Sequence, residues 1–402
     1  MKAAIRLVGP DTLRMLELGH PWVIADSYTR KWPQGRPGEV VVLTDDKGAR
    51  LAMALLDPAD RIVARVLNCG PEGITRPWLA QQLNRALALR ATHAELGDSN
   101  AYRLVNSEGD GLPGLTVDRY GDYLMIQLYT PAWKPYLEQL VAELQLLLAP
   151  KGIYEKFRPQ QTRTLASEQP DKKFSRLLRG EPVRGKLTVL ENGLNFLVDL
   201  EAGLNTGLFL DQRRNRRDLM QRVAGKRVLN LFAFTGAFSV AAAAAAAGAE
   251  GVCSVDASAA YLDWAKENFG ANRLNPKRHE FLTGDCFAVL EELQRQNRQF
   301  DLILMDPPSF STTGKSRFTT KGGTAELVAL ALALLPTGGL LITSSNHQKV
   351  ELADYLKELR RGALQAHCDL RILQTLGQPE DFPFAVTCPE GRYLKYVIAA
   401  KS

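Results

Sequence analysis

From about residue 189 onward, short apolar runs alternate with longer segments of helical period. That alternation constrains the fold more than any other feature. RVLNLFAF reads as a strand and AFSVAAAAAAAGA as a helix; GVCSVDAS is a strand, and SAAYLDWAKENFGANR a helix with Ser258 placed to cap it. HEFLTGD, FDLILMD, GGLLITSS and RYLKYVIAA continue the strands, the last of them closing the chain. CFAVLEELQRQ, TAELVALALALL and LADYLKELRRGALQA continue the helices. Strand–helix units of this length build a doubly wound sheet. Such a sheet binds ligands in the crevice at the carboxyl ends of its strands, so the residues that follow each strand carry the information.

The chain has 402 residues, too many for one core. Residues 1–75 are dense in Pro and Gly. They contain the strand-like runs EVVVLTD and RIVARVL, with a DDKG hairpin signal after the first, and predict a small β-barrel-like module. Residues 76–188 predict a central α/β domain. It holds the helix WLAQQLNRALALRATHAEL, two strands around Gly-rich turns in YRLVNSEGDGLPGLTVDRYGDYLMIQLY, and the helix PYLEQLVAELQLLL. Then comes a charged stretch with Lys172, Lys173, Arg176, Arg179, Arg184 and Lys186, read as exposed loops or hairpins. Residues 189–402 form the doubly wound domain. The net charge of +6 is compatible with an anionic partner but does not require one. Five cysteines without CxxC spacing give neither a disulfide frame nor a metal site. With no apolar signal core and no apolar run long enough to span a bilayer, the expectation is a cytoplasmic protein with no membrane contact.

The first turn of the doubly wound part, LFAFTGAFS, offers only Gly236 where a dinucleotide fold wants GxGxxG. A pyrophosphate cradle is therefore poor, which argues against NAD or FAD. A nucleoside without phosphates, such as S-adenosylmethionine (SAM), needs only one close backbone approach. Asp256 ends the second strand, where an acid can accept both ribose hydroxyls; Asp285 ends the third, where it can accept from an adenine amino group. DPPSF, Asp306 to Phe310, ends the fourth. Asp256 and Asp285 could each simply start a helix. Acids at three successive strand ends are hard to assign to capping, and together they point to a SAM-dependent methyltransferase. Upstream, GLNTGLFLDQRRNRR would pin Asp211 and Arg213 near the sheet, while Arg214, Arg216 and Arg217 fit a solvated basic helix equally well.

NTGLFLDQR, LNLFAFTGAFS, VDASAAYLDWAKEN, GDCFAVL and DPPSFS resemble, in order and spacing, the bacterial class I 23S rRNA methyltransferases. HPWVIADS, the 102–127 stretch and PEGRYLK look like the cytosine-C5 branch, which has an N-terminal PUA domain. NTGLFLD, the YLDWA stretch and DPPSFS look closer to the guanine-N7 branch. The resemblance implies a Rossmann-like SAM-dependent methyltransferase domain behind a PUA-like domain and a central α/β domain, the latter two holding RNA. It implies a SAM site carried by Phe209, Asp211, Arg213, Phe232, Thr235, Gly236, Asp256, Asp285 and Asp306. The implied partner is 23S rRNA or a large-subunit precursor, with a homodimer allowed.

The two branches differ in chemistry. Cytosine C5 is too weak a nucleophile to attack a sulfonium, so a cysteine thiolate first adds to the neighbouring ring carbon. That branch places the cysteine after the fifth strand. Here the turn reads Thr343-Ser344-Ser345-Asn346 and holds none. Guanine N7 already has an in-plane lone pair and needs alignment rather than covalent help. Asn346, Ser344 and Ser345 are the candidate donors to the base, Phe310 a candidate stacking ring, and Asp306, Phe310 and Asn346 the candidate catalytic set. His347 reads better as a polar rim residue than as a catalyst. The alternatives are cytosine-C5 methylation with a relocated nucleophile, best Cys388, and a non-catalytic RNA-binding ribosome-assembly protein.

Overall fold

The computed structural model describes residues 4–157, 174–203, 205–308 and 323–402. Strands β1 (Ile5–Leu7), β2 (Trp22–Ile24), β3 (Val40–Thr44), β4 (Arg50–Leu56) and β5 (Ile62–Leu67) form a sheet of order β1-β3-β4-β5-β2. The β3–β4 turn is held by Asp45, whose Oδ1 accepts from the Lys47 and Ala49 amides. Val23, Val41, Leu43 and Ala54 are wholly enclosed in its core.

The central sheet contains β6 (Ala101–Asn106), β7 (Leu115–Tyr120), β8 (Tyr123–Leu128), β9 (Gly152–Phe157) and β10 (Ser175–Gly180), in the order β10-β9-β8-β7-β6. Leu79 and Leu83 of a helix over Arg76–His93 share one core with Leu140 and Leu144 of a helix over Leu137–Leu148. Val105, Val117 and Ile126 of the sheet complete it. A hairpin follows, β11 (Leu187–Glu191) and β12 (Leu194–Val198). It turns at Asn192-Gly193, both left-handed at φ 51° and 77°. The strand–helix reading passed over this Asn-Gly signal.

The last sheet contains β13 (Arg227–Leu231), β14 (Gly251–Asp256), β15 (Glu280–Thr283), β16 (Leu302–Met305), β17 (Leu340–Ser345), β18 (Leu370–Leu376) and β19 (Lys395–Lys401). Its order is β15-β14-β13-β16-β17-β19-β18. Every neighbouring pair is parallel except those made by β19, which is antiparallel to both β17 and β18. Two expectations need correction. The alanine-rich helix spans only Ala237–Ala244, because Ala245 turns extended at ψ 149°. β18 was not expected at all: it is an edge strand whose Ile372 and Leu373 are exposed, so it lacks the buried run that marks an inner strand.

One loop joins the three sheets. It runs from β18 to β19, residues 377–394, and its anchor is Asp381, which is fully buried. Both Asp381 oxygens accept from Arg213, at 2.8 and 2.9 Å, and Oδ2 also accepts from the Arg103 amide at 2.9 Å. The Asp381 carbonyl accepts from Arg90 at 2.7 Å, and the Pro383 carbonyl from Asn106 at 2.7 Å. A Cβ on Gly109 would lie 2.0 Å from the Pro383 oxygen, so the loop sits against bare backbone there. Farther along, Glu390 meets His20 of the N-terminal sheet at 3.3 Å.

Removing one member of a buried, doubly hydrogen-bonded pair strands the other's charge. D381A should therefore destabilise the protein by about 3–5 kcal/mol. Urea unfolding of D381A, R213A and the double variant checks this: the double variant should lose much less than the sum of the two single losses.

Candidate active site

Where β13 ends, the chain makes a turn of high strain. Phe232 and Phe234 are left-handed at φ 56° and 51°, and Gly236 follows at 75°. Non-glycine residues in that region cost on the order of 1–3 kcal/mol each and persist only where the surroundings hold them. Here the Ala233 amide donates to the Val255 carbonyl at 2.9 Å, and the Phe234 amide to Asp256 Oδ2 at 2.8 Å. Asn268 donates to the Thr235 carbonyl at 2.8 Å. Thr235 is fully buried with its hydroxyl on the Gly207 carbonyl at 2.5 Å, so it acts through the shape of the turn. A Cβ on Gly236 would lie 2.6 Å from Ala265 Cβ, which leaves glycine as the residue that fits. Phe209, Phe234 and Tyr261 line up beside the turn with ring centroids 5.3 and 4.5 Å apart.

The acids divide their work. Asp256 Oδ1 accepts from the Ser258 amide at 2.9 Å, while Oδ2 holds the strained turn. Asp285 is exposed, and its Oδ1 caps the helix Cys286–Arg295 by accepting from Phe287 and Ala288. Asp285 is thus a helix cap, while Asp256 braces the strained turn and the start of the next helix. Asp306, after β16, accepts from Gln212 Nε2 at 3.1 Å, and Gln212 also reaches the Ser344 hydroxyl at 3.0 Å. Enclosure by protein pushes the Asp306 carboxyl up to about 6, with the nearby Asp211 charge adding to the shift. Asp211 is raised by the same burial and accepts from the Tyr393 hydroxyl at 2.7 Å.

At the tip of β17 the polar run separates into layers. Thr343 is buried and bonds Tyr355, whose hydroxyl reaches the Ser344 carbonyl at 3.0 Å. Ser344 is buried and shares the Gln212–Asp306 network, so it does not reach out to a base as expected. Ser345 is half-buried and Asn346 exposed at the rim. His347 accepts from the Lys349 amide through Nδ1. Lys395 ties this tip to the last strand, donating to the His347 carbonyl at 2.6 Å and the Tyr393 carbonyl at 2.8 Å.

Three further placements matter. Arg213, expected at the cofactor, has both terminal nitrogens on Asp381 and positions the loop instead. Arg216, one of the arginines equally suited to a solvated helix face, is buried and doubly bonded to Glu191 at 2.6 and 2.7 Å. Phe310 lies outside the described residues, as do Lys172 and Lys173. Gln212, Tyr393, Phe234 and Tyr261 were missed as site residues. Tyr393 sits where PEGRYLK runs into RYLKYVIAA, a segment read only as a strand, and it lies in the loop before β19. His20, Cys388 and Glu390 bring ligand-type atoms within 4.8 Å of one another. The Trp22 amide donates to His20 Nδ1 at 3.2 Å, which leaves the ring proton on Nε2 facing Glu390, so this is a hydrogen-bonded trio.

Residues 109–392 match the model of the S-adenosylmethionine-dependent methyltransferase family, and residues 8–68 match a PUA-like domain. The chain belongs to the S-adenosylmethionine-dependent methyltransferase family. A ribosomal RNA large subunit methyltransferase I of Cronobacter sakazakii is 35% identical over 94% of both chains. An Escherichia coli protein of that name is 33% identical over 94% of each chain. Among solved structures, the methyltransferase SMU.776 complexed with SAH is 28% identical with a TM-score of 0.86, covering 99% of this chain and 100% of that one. A SAM-dependent methyltransferase from Streptococcus mutans has a TM-score of 0.83 at 28% identity, with the same coverage. Among the described residues no helix is long and apolar enough to cross a membrane.

The crevice of this methyltransferase fits SAM. The first turn provides one close glycine rather than a phosphate cradle. The neighbouring enclosed carboxyls, Asp211 and Asp306, call for a positively charged ligand, and SAM carries a sulfonium and an ammonium. When bound, SAM supplies an electrophilic methyl group; Asp211 and Asp306 are the residues that would face its positive charges. A carboxyl raised by burial favours its neutral form, so its contribution to apoprotein stability is full below about pH 4 and is lost as pH rises through about 6. A cationic ligand reverses the preference by binding the carboxylate. SAM affinity should therefore rise about tenfold between pH 5 and pH 7, and flatten in D306N. Calorimetric titration across that range is the check.

Proposed function

We propose that the enzyme methylates a base of 23S rRNA, with guanine N7 as the target. The RNA substrate is supported by the names of its relatives and by the PUA-like domain at the N-terminus. We assign RNA holding to residues 1–75 and 76–188 and transfer to residues 189–402.

The choice of nitrogen over carbon rests on the thiols. A covalent catalyst at cytosine must be a thiolate, made available by a lowered pKa or an adjacent base. In this chain burial pushes all five thiols the other way. Cys388, the best candidate for a relocated nucleophile, is raised to about 12 by burial and by the Glu108 and Glu390 charges. It fits a structural role in the trio with His20. The β17 tip, where a nucleophile would stand, offers Ser345 and Asn346. Asn346 provides donors and acceptors for aligning a base whose own lone pair attacks.

Nucleoside mass spectrometry of rRNA from a strain lacking this gene tests the reading. Loss of 7-methylguanosine with 5-methylcytidine unchanged is expected. Loss of 5-methylcytidine with 7-methylguanosine unchanged overturns it. C388S is expected to keep methyl transfer, and its inactivation in a folded protein would restore the cytosine mechanism.

A further inference from the structure

Asn215 is wholly enclosed in the helix Arg213–Met220, a setting that ordinarily favours an apolar or a fully paired side chain. Its Nδ2 donates to Gln212 Oε1 at 2.6 Å, and Gln212 lies three residues earlier, one turn away on the same face. Among the described residues Asn215 Oδ1 has no partner. The Asn215 amide therefore serves Gln212 through its nitrogen, leaving a buried oxygen unpaired. Gln212 is enclosed too. Its Nε2 donates to Asp306 Oδ2 at 3.1 Å and to Ser344 Oγ at 3.0 Å, so both amide hydrogens are used. The Gln212 oxygen is bonded to Asn215 and, among the described residues, to no other group. An amide can be turned end for end, and only one end suits a carboxylate. With nitrogen toward Asp306, donor meets acceptor. With oxygen there, two acceptors meet unless the carboxyl is protonated.

We propose that Asn215 is a positioning residue for methyl-donor binding: by holding the Gln212 oxygen it turns the Gln212 amide hydrogens toward Asp306 and Ser344, and so presents Asp306 to the ligand as an anion. This rests on the assignment of Asp306 to the SAM site. Asn215 acts only through Gln212 and touches no ligand. Burial opposes the anion, and the bonds from Ser344 and Gln212 work against that opposition. An amide free to turn would lose this aid, because its oxygen favours the neutral acid. The other charged and titratable groups around Asp306 are Asp211, Arg216, Tyr355 and Tyr396. Arg216 is committed to Glu191, and burial pushes both phenols up and away from the range where Asp306 titrates. Asp211 takes its hydrogen bond from Tyr393, outside this relay. A change in pH response on altering Asn215 therefore reports Asp306.

The test is calorimetric titration of SAM into the wild-type protein and Asn215→Leu from pH 5 to pH 8. Leucine keeps the shape and removes the donor. A lost hydrogen bond to a charged group is equivalent to about one pH unit in the midpoint of the affinity profile. N215L should therefore bind SAM about fivefold more weakly than wild type at pH 6 and equally well at pH 8. N215A carries the same expectation should N215L fail to fold. Q212M should move the profile the same way, and adding N215L to Q212M should move it no further. An unmoved profile in the Asn215 variant, a loss of equal size at every pH, or a further shift in the double variant overturns the proposal. D306N separates the two readings. If its SAM affinity still rises with pH as in wild type, Asp306 leaves the SAM site and this inference falls with it. A flat D306N profile beside an unmoved N215L profile overturns the role of Asn215 alone.

Discussion

The Arg213–Asp381 pair is the interaction on which the arrangement of the site depends. Taking two charges out of water is costly, and the cost is offset only where geometry is good and the remaining lone pairs are satisfied. Asp381 meets that condition: its carboxylate accepts three hydrogen bonds, two from Arg213 and one from the Arg103 amide. These donors come from two distant parts of the chain. Arg213 begins the helix that follows the GLFLDQ approach, and Arg103 lies in the central sheet. A pair of this kind fixes register more than it adds stability. It sets where residues 377–394 lie, and that loop delivers Tyr393 to Asp211 and Glu390 to His20.

The crevice that results is electrostatically unfinished. Asp211 and Asp306 are enclosed near one another, and the cations that act on them are already engaged: Arg103 by Asp118, Arg216 by Glu191. Burial raises both carboxyls because desolvation outweighs the pull of these arginines, whose charges are shared with other acids. The strained turn at Phe232 and Phe234 is held rigidly from behind by Asp256 and Val255, so the aromatic wall and the acids face the same space. A cationic nucleoside completes such a site, whereas a dinucleotide would add phosphates to a wall of carboxyls.

The sheet and the acids at its strand ends were readable because both depend on local pattern. Buried parallel strands are continuous apolar runs, and the residue after each one faces the crevice whatever the distant chain does. β18 was unreadable because an edge strand need not bury a face. The fate of the arginines was only partly readable. The apolar approach marked Arg213 as held near the sheet, and it is enclosed, but nothing in that reading set the enclosed Arg216 apart from Arg214 and Arg217, both exposed on the same helix. The distinction is made by Asp381 and Glu191, 168 and 25 residues away in the chain. Tyr393 was missed likewise, since its partner Asp211 is 182 residues distant.

The β17 tip shows how one short polar run divides between buried structure and open rim. Thr343 and Ser344 are absorbed into buried networks with Tyr355, Gln212 and Asp306, so they stiffen the strand end. Only the outer positions, Ser345 and Asn346, face the crevice mouth. A thiolate there would allow covalent activation of a pyrimidine carbon; an amide and a hydroxyl allow only alignment. Alignment suffices where the attacking atom carries its own lone pair. It also demands rigidity, because nothing covalent then holds the base in place. Lys395 meets that demand by fastening the tip to the end of the loop at Tyr393, and Asp381 by fastening the whole loop to the central sheet. The same buried charges that set the loop therefore determine how firmly the crevice mouth is held.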